Sequence, residues 1–318
     1  MGKYLPERVL TNADLEHMVD TSDKWIVDRT GIRERRIAAD HESTATMGAQ
    51  AARGALQTAG VGPNQVDLVI CATLSPDGMF PASASLIQDA IGARHAGAFD
   101  VNAACNGFVV ALAAGAQFIE GGVYERVLVV GAEAVSRIID WSDRNTCILF
   151  GDGAGAVLLT MAESGGTRSF VLKSDGSGAS MLYARGPASP VNSALAGESF
   201  NIVMSGRDVF KFAVRAMIEV SQEAIEKAGL SAADIAYLVP HQANQRIMTA
   251  FAAGLGVPDE RLISNLDKYG NTSSASIPIA LCEAWEQGRL REGDKLLFTA
   301  VGGGLSWGAA VVEWTGLV

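Results

Sequence analysis

The chain repeats itself at a fixed offset. Ala59-Gly60 followed by Val66-Asp67-Leu68-Val69-Ile70 is echoed 169 positions later by Ala228-Gly229 followed by Ile235-Ala236-Tyr237-Leu238-Val239. Arg126-Val127-Leu128-Val129 is echoed by Lys295-Leu296-Leu297-Phe298 at the same offset of 169. Two such units at one spacing imply a duplicated α/β half. Gly155-Ala156-Val157 and Gly308-Ala309-Ala310-Val311 recur at a shorter offset, so the second half has lost a segment. The expected object is two similar α/β halves, 1–164 and 165–318, packed together with a site where their strand ends meet.

Composition narrows the function classes. With 318 residues, 48% apolar and 19% charged, the chain is long enough to bury a large core. A net charge of −10 argues against a nucleic-acid binder. Cys71, Cys105, Cys147 and Cys282 are scattered in apolar segments without metal-ligand spacing, and no signal peptide precedes them. That pattern predicts reduced thiols in a cytoplasm and no metal. The longest apolar run, 107–119, is too short to span a bilayer, so no membrane is expected.

Helix signals run over 15–26, 43–59, 82–91 and 206–228, and strand signals over 66–72, 98–101, 126–131 and 157–160. Segment 163–199 is rich in Gly, Ser and Pro and reads as a crossover with loops over a binding site. Gly151-Asp152-Gly153-Ala154-Gly155 invites a phosphate-loop reading, but a strand follows where a dinucleotide fingerprint needs a helix. These glycines read instead as a turn or bulge with close backbone approach. Arg29, Arg33, Arg35 and Arg36 form a basic cluster, either a solvated turn or a site for a phosphate or an acidic partner.

Three stretches carry polar groups that their surroundings do not explain. Asp100-Val101-Asn102-Ala103-Ala104-Cys105-Asn106-Gly107 delivers one cysteine to the start of a helical pattern that stops at Gly121-Gly122. A thiol at a helix N-terminus is biased toward thiolate, although a buried structural cysteine is equally compatible with this stretch alone. His241, in Val239-Pro240-His241-Gln242-Ala243-Asn244, sits at a strand's carboxyl end. His17, His41 and His95 lie in polar contexts, which leaves His241 as the candidate base. Asn271, in Tyr269-Gly270-Asn271-Thr272-Ser273-Ser274-Ala275-Ser276, occupies a turn before a small-residue helix. Together the three are the parts of a Cys-His-Asn thioester site.

These stretches, with 4–7, 20–39, Phe150-Gly151-Asp152-Gly153 and Gly302-Gly303-Gly304-Leu305-Ser306-Trp307, resemble the 3-oxoacyl-acyl-carrier-protein synthase III family almost end to end. The resemblance implies a thiolase-like fold, two α/β halves in five α-β-α-β-α layers with mixed sheets, working as a homodimer. It implies that Cys105 takes an acyl group from an acyl-CoA primer, with acetyl-CoA the expected one. His241 and Asn271 then hold a malonyl-acyl-carrier-protein thioester through decarboxylation and Claisen condensation, in a ping-pong scheme without a cofactor. Backbone N–H groups of Cys105 and Gly303 would form the oxyanion hole. By the same matching, Thr21, Trp25, Arg29, Arg144, Phe210, Asn244 and Arg246 line the CoA or pantetheine channel, with adenine between Trp25 and Arg144. Phe80 would enter the partner subunit's acyl pocket, and Lys211, Arg215 and Arg246, with Arg33, would meet acidic acyl carrier protein.

Four features depart from the family pattern. The chain starts so close to Tyr4 that the first half is expected to lack an N-terminal strand, and Asn106, Asn145 and Gln245 replace the usual residues. Thiolase would need a second cysteine in the 302–308 loop, and elongating enzymes a second His at position 271; neither is present. A Cys-His-Asn relative that primes a polyketide or quinolone remains the alternative. Primer length is expected to depend on side chains around Phe80 and in the loop 184–196.

Overall fold

A computed structural model describes residues 1–186 and 200–316. The first half runs β1 (Gly2–Tyr4), β2 (Val9–Thr11), α1 (Asn12–Glu16), α2 (Asp23–Thr30), β3 (Glu34–Arg36) and α3 (Thr44–Ala59). It continues with β4 (Leu68–Ala72), α4 (Ser83–Ile91), β5 (Gly97–Val101), α5 (Gly107–Glu120), β6 (Arg126–Glu133) and β7 (Gly153–Thr160). The second half opens with β8 (Gly166–Ser174), β9 (Leu182–Tyr183), β10 (Val203–Met204) and α6 (Gly206–Lys227). It ends with β11 (Ile235–Pro240), α7 (Gln245–Leu255), α8 (Leu266–Tyr269), α9 (Ser276–Glu286), β12 (Lys295–Gly302) and β13 (Ser306–Glu313).

The duplication is written into the strand order. One sheet is β1-β7-β6-β4-β5 and the other is β11-β12-β13-β8. In both, a parallel pair (β4 with β6, β11 with β12) is followed by an antiparallel neighbour (β7, β13). Gly2 pairs with Ala156, and Val171, which lies 169 positions after Gly2, pairs with Ala309. So β8 answers β1. The expectation of a missing N-terminal strand is therefore overturned: three residues, Gly2–Tyr4, suffice to form the edge of the first sheet.

α3 and α4 cover one face of the first sheet, α5 and α9 fill the space between the sheets, and α6 packs on the far face of the second. This is the five-layer α-β-α-β-α thiolase-like arrangement. Strand alternation explains why these strands read as unbroken apolar runs. In β4, Leu68, Ile70 and Ala72 join the central core, while Val69 and Cys71 join the core beneath α3. In β12, Leu296, Phe298 and Ala300 face the central core and Leu297 and Val301 the outer one. Each strand is buried on both faces because each feeds two cores.

Two local expectations needed correction. The helix expected over 15–26 is split, because Ser22 adopts extended dihedrals (φ −149°) and caps a second helix, accepting the Trp25 N–H at 3.2 Å. The crossover expected over 163–199 contains β8, whose exposed outer positions hide its strand pattern. The loop expected to tune primer length, 184–196, lies outside the described residues from 187 onward. Among the described residues, no helix is long and apolar enough to cross a membrane.

Candidate active site

The two central turns are one device, built once per half. After β5, residues Ala104–Asn106 make a single 3-10 turn leading into α5, and Ser273–Ala275 does the same before α9. Ala104 and Ser273, 169 positions apart, both adopt left-handed backbone, φ 47° and 50°. That conformation costs a non-glycine residue about 1–2 kcal/mol. In each turn an asparagine side chain offsets part of it. Asn102 Oδ1 accepts the Ala104 N–H at 3.2 Å, and Asn271 Oδ1 accepts the Ser273 N–H at 2.9 Å. The first turn carries Cys105; the second presents Asn271.

Backbone bonds hold Asn271 independently of its side chain. Its N–H donates to the Leu149 carbonyl at 2.8 Å, and its carbonyl accepts the Gly151 N–H at 3.1 Å. With Oδ1 committed to Ser273, the carboxamide N–H₂ is the end left to meet a ligand.

His241 follows β11, its N–H donating to the Thr299 carbonyl at 2.8 Å. Its Nδ1 lies 2.8 Å from the Ser276 hydroxyl, which itself donates to the Ser273 carbonyl at 2.8 Å. The serine's one hydrogen is thus committed, so the Nδ1 contact assigns the proton to the imidazole, leaving Nε2 bare in the neutral ring. The ring is 3% exposed. Burial pushes its pKa down to about 4, against a smaller upward pull from the Ser273 backbone.

Burial acts on Cys105 in the opposite direction, pushing the thiol from 9 up to about 12. The Ser273 hydroxyl pulls it down, Glu133 adds to the rise, and the cysteine's own amide lowers it again. The Ser273 hydroxyl lies close to the sulfur but completes no well-formed hydrogen bond. Burial thus outweighs the bias toward thiolate expected of a helix N-terminus. A helix terminus contributes at most about 2 kcal/mol, or about 1.5 pKa units, less than the shift from burial. The resting pair is a neutral thiol and a neutral imidazole.

Cys105, His241 and Asn271 line one cavity of about 780 Å³, together with Gly303. Close approach explains the neighbouring glycine: a Cβ on Gly302 would stand 2.7 Å from the Cys105 nitrogen. Trp25, Arg29, Phe210 and Asn244 line the same cavity. Arg144 and Arg246 are not in its wall; their guanidinium carbons lie 5.2 Å from the Trp25 ring centre and 5.9 Å from that of Phe210. Arg144 also donates to the Asp20 carbonyl at 2.8 Å. Thr21 lies outside the lining with its hydroxyl buried and unpartnered. Asn244 caps α7, accepting the Arg246 N–H at 2.9 Å, and donates to the Arg29 carbonyl at 3.0 Å.

The remaining sequence candidates lie away from the cavity wall. Lys211 is exposed, and Arg215 forms a loose pair with Glu219 at 3.8 Å. Phe80 is 86% exposed and Met79 beside it 75%. Among the unusual residues, Asn145 lines the cavity, Gln245 opens α7, and buried Asn106 donates to the Ser306 hydroxyl at 3.0 Å.

Sequence reasoning missed the groups behind the site. It assigns no role to Ser273 and Ser276, although three serines buried at one helix start signal polar work. It also missed the apolar wall supplied by Leu182, Ile202, Met204 and Met217, two of which sit in short strands flanking segment 187–199. Among the described residues, no group of three or more His, Cys, Asp or Glu side chains could hold a metal ion.

Residues 99–176 match the family model described as 3-oxoacyl-[acyl-carrier-protein (ACP)] synthase III, and residues 225–314 match the model of its C-terminal part. The chain is 51% identical to the β-ketoacyl-[acyl-carrier-protein] synthase III of Symbiobacterium thermophilum, over 99% of this chain and 96% of that protein. It superposes on the crystal structure of the synthase III of Thermus thermophilus with a TM-score of 0.94 at 50% identity, covering 100% and 98% of the two chains. The priming β-ketosynthase of the R1128 polyketide pathway is similar at TM-score 0.93 and 37% identity, over 100% and 95%.

Proposed function

This chain belongs to the 3-oxoacyl-[acyl-carrier-protein] synthase III family, and we propose that it performs the family's reaction through Cys105, His241 and Asn271. It is a condensing acyltransferase that initiates fatty-acid synthesis. The observation that carries the residue assignment is that all three side chains, from sequence positions up to 166 residues apart, line one cavity beside Gly303.

In the first half-reaction Cys105 attacks the carbonyl of an acyl-CoA, with acetyl-CoA the expected primer. The carbonyl oxygen's developing charge is held by the N–H groups of Cys105 and Gly303. The Cys105–acyl bond forms, the carbonyl–CoA bond breaks, and the thiol proton ends on the CoA sulfur. Bare Nε2 of His241 carries it between the two sulfurs.

In the second half-reaction a malonyl-acyl-carrier-protein thioester replaces CoA. Loss of CO2 leaves an enolate, whose oxygen receives hydrogen bonds from the Asn271 carboxamide and from His241. For His241 to donate, its proton moves to Nε2 and the Ser276 hydroxyl turns its hydrogen from the Ser273 carbonyl to Nδ1. The enolate carbon attacks the acyl carbonyl, the carbon–carbon bond forms and the carbonyl–sulfur bond breaks, and Cys105 leaves as the thiolate and takes one proton from water. The products are 3-oxoacyl-acyl carrier protein, CO2 and CoA. No cofactor enters this scheme.

The finer assignments follow the same reading. Trp25, Arg29, Phe210 and Asn244 form the channel, with Thr21, Arg144 and Arg246 at its mouth. Lys211, Arg215, Arg246 and Arg33 offer positive charge to an acidic carrier protein. Exposed Met79 and Phe80 support a homodimer in which Phe80 reaches the partner's acyl pocket, and four free cysteines support a cytoplasmic location. The two halves divide at 164/165, between β7 and β8. The polyketide-priming reading is favoured only by likeness to the R1128 enzyme.

The purified protein, acetyl-CoA and malonyl-acyl carrier protein together should give CO2 and an acetoacetyl carrier protein detectable by mass. Release of CO2 without a condensed product, or neither, would contradict the reading. A carrier from a polyketide pathway used in preference to the fatty-acid carrier would favour the alternative.

A further inference from the structure

We propose that Asn106 is a positioning residue for the oxyanion hole, tying the turn that carries Cys105 to the hairpin that carries Gly303 through its bond to Ser306. The proposal rests on Cys105 being the nucleophile and on its N–H and that of Gly303 holding the carbonyl oxygen. Those two amides come from different halves of the chain. Cys105 lies in the 3-10 turn after β5, whereas residues 303–305 form the tip between β12 and β13, closed by the pairing of Gly302 with Ser306. A two-donor hole works only if the two segments keep a fixed separation, since a misplacement of about 1 Å can cost about 100-fold in rate.

Two contacts set that separation. On the β12 side the fit is backbone against backbone: a Cβ on Gly302 would stand 2.7 Å from the Cys105 nitrogen and 2.8 Å from the Ala103 carbonyl oxygen. On the β13 side a side chain spans the gap. Asn106 Nδ2 donates to the hydroxyl of Ser306, 200 positions away, at 3.0 Å. Because Ser306 faces Gly302 in the ladder, the two contacts grip both roots of the tip.

Asn106 makes this link at the expense of its other options. It immediately precedes α5, where an asparagine ordinarily accepts a helix N–H, yet it makes no capping bond. It has no exposed surface, and its Oδ1 has no hydrogen-bond partner. Leaving a buried acceptor bare is destabilising. The side chain fits against Gly308, where a Cβ would stand 3.1 Å from Oδ1. An asparagine here serves neither the helix nor its own carbonyl oxygen, which leaves the link to Ser306 as its contribution.

The test compares two reactions of one thiol in the intact protein. Acetyl transfer from acetyl-CoA develops an oxyanion; alkylation by iodoacetamide forms a sulfur–carbon bond, releases iodide and develops none. In Asn106→Ala and in Ser306→Ala, single-turnover acylation of Cys105 at saturating acetyl-CoA should fall at least about fivefold relative to alkylation of the same cysteine, both followed by mass spectrometry. The double variant should be no slower than the slower single one, because both changes cut the same link. A smaller fall in the ratio of the two rates would overturn the proposal, as would a double variant slowed by the product of the single effects. Ser306→Ala, at a partly exposed strand end, decides the matter should Asn106→Ala fail to fold. If the unaltered protein is alkylated at Cys105 but takes no acetyl there, the nucleophile assignment itself fails and the proposal falls with it.

Discussion

Replacing Asn271 with alanine separates the two half-reactions. The carboxamide has two ends with different duties: Oδ1 accepts the Ser273 N–H at 2.9 Å, and Nδ2 is free to meet the enolate oxygen. Loss of a donor aimed at a developing oxyanion costs about 2.7–4 kcal/mol, or about 100- to 1,000-fold in rate. Loss of the acceptor leaves the Ser273 N–H unsatisfied, about 1–3 kcal/mol of stability. The backbone bonds to Leu149 and Gly151 do not involve the side chain, so the turn should persist. Condensation should therefore fall about 100-fold or more, while transfer of acetyl from CoA to Cys105 stays within about threefold of the unaltered protein. Single-turnover acylation, read by intact mass, and CO2 release from malonyl carrier protein measure the two steps separately. Asn271→Asp keeps the acceptor and loses the donor, so it should lose condensation without the alanine variant's loss of stability. Equal loss of both half-reactions in a folded Asn271→Ala protein would refute the division of labour.

Three other perturbations follow from the same geometry. His241 is neutral when folded, with its pKa lowered to about 4 from 6.5, so it stabilises the fold above 6.5 and that contribution is lost as pH falls toward 4. His241→Asn should flatten the melting-temperature profile between pH 6.5 and 4, where the unaltered protein loses up to about 3 kcal/mol; an unchanged slope would count against the burial argument. Gly302→Ala places a Cβ 2.7 Å from the Cys105 nitrogen and 2.8 Å from the Ala103 carbonyl. It should cost about 1–3 kcal/mol in thermal unfolding and slow Cys105 acylation, and full stability with full acylation would contradict the close approach. Trp25→Ala should raise KM for acetyl-CoA while leaving Cys105 alkylation by iodoacetamide unchanged, as expected of a channel residue remote from the thiol; an unaltered KM would remove Trp25 from the channel.

Much of this was legible in the sequence because the repeat and the helix and strand periods agree. The offset of 169 read from Arg126 and Lys295 recurs in β1 against β8 and in the left-handed residues Ala104 and Ser273. Cys105, His241 and Asn271 could be singled out by position: a cysteine at the start of a helical pattern, a histidine at a strand's carboxyl end and an asparagine in a Gly-Asn turn before a helix. What the sequence could not convey was environment. Proximity to a helix N-terminus is readable from spacing, but the burial that turns Cys105 into a resting thiol depends on Gly302 and the second half closing over it. Strand β1 was overlooked because three residues carry no measurable period. Glu133 reads as the polar end of a strand, and only the fold brings Ser75 and Ser274, 199 positions apart, to its two oxygens.

The most direct check is the fate of acetyl on the Cys105 peptide. After incubation with acetyl-CoA, digestion and mass spectrometry should find one acetyl group on Cys105, which disappears when malonyl-acyl carrier protein is added as the condensed product accumulates. An adduct on another residue, or one that persists through product formation, would contradict the account.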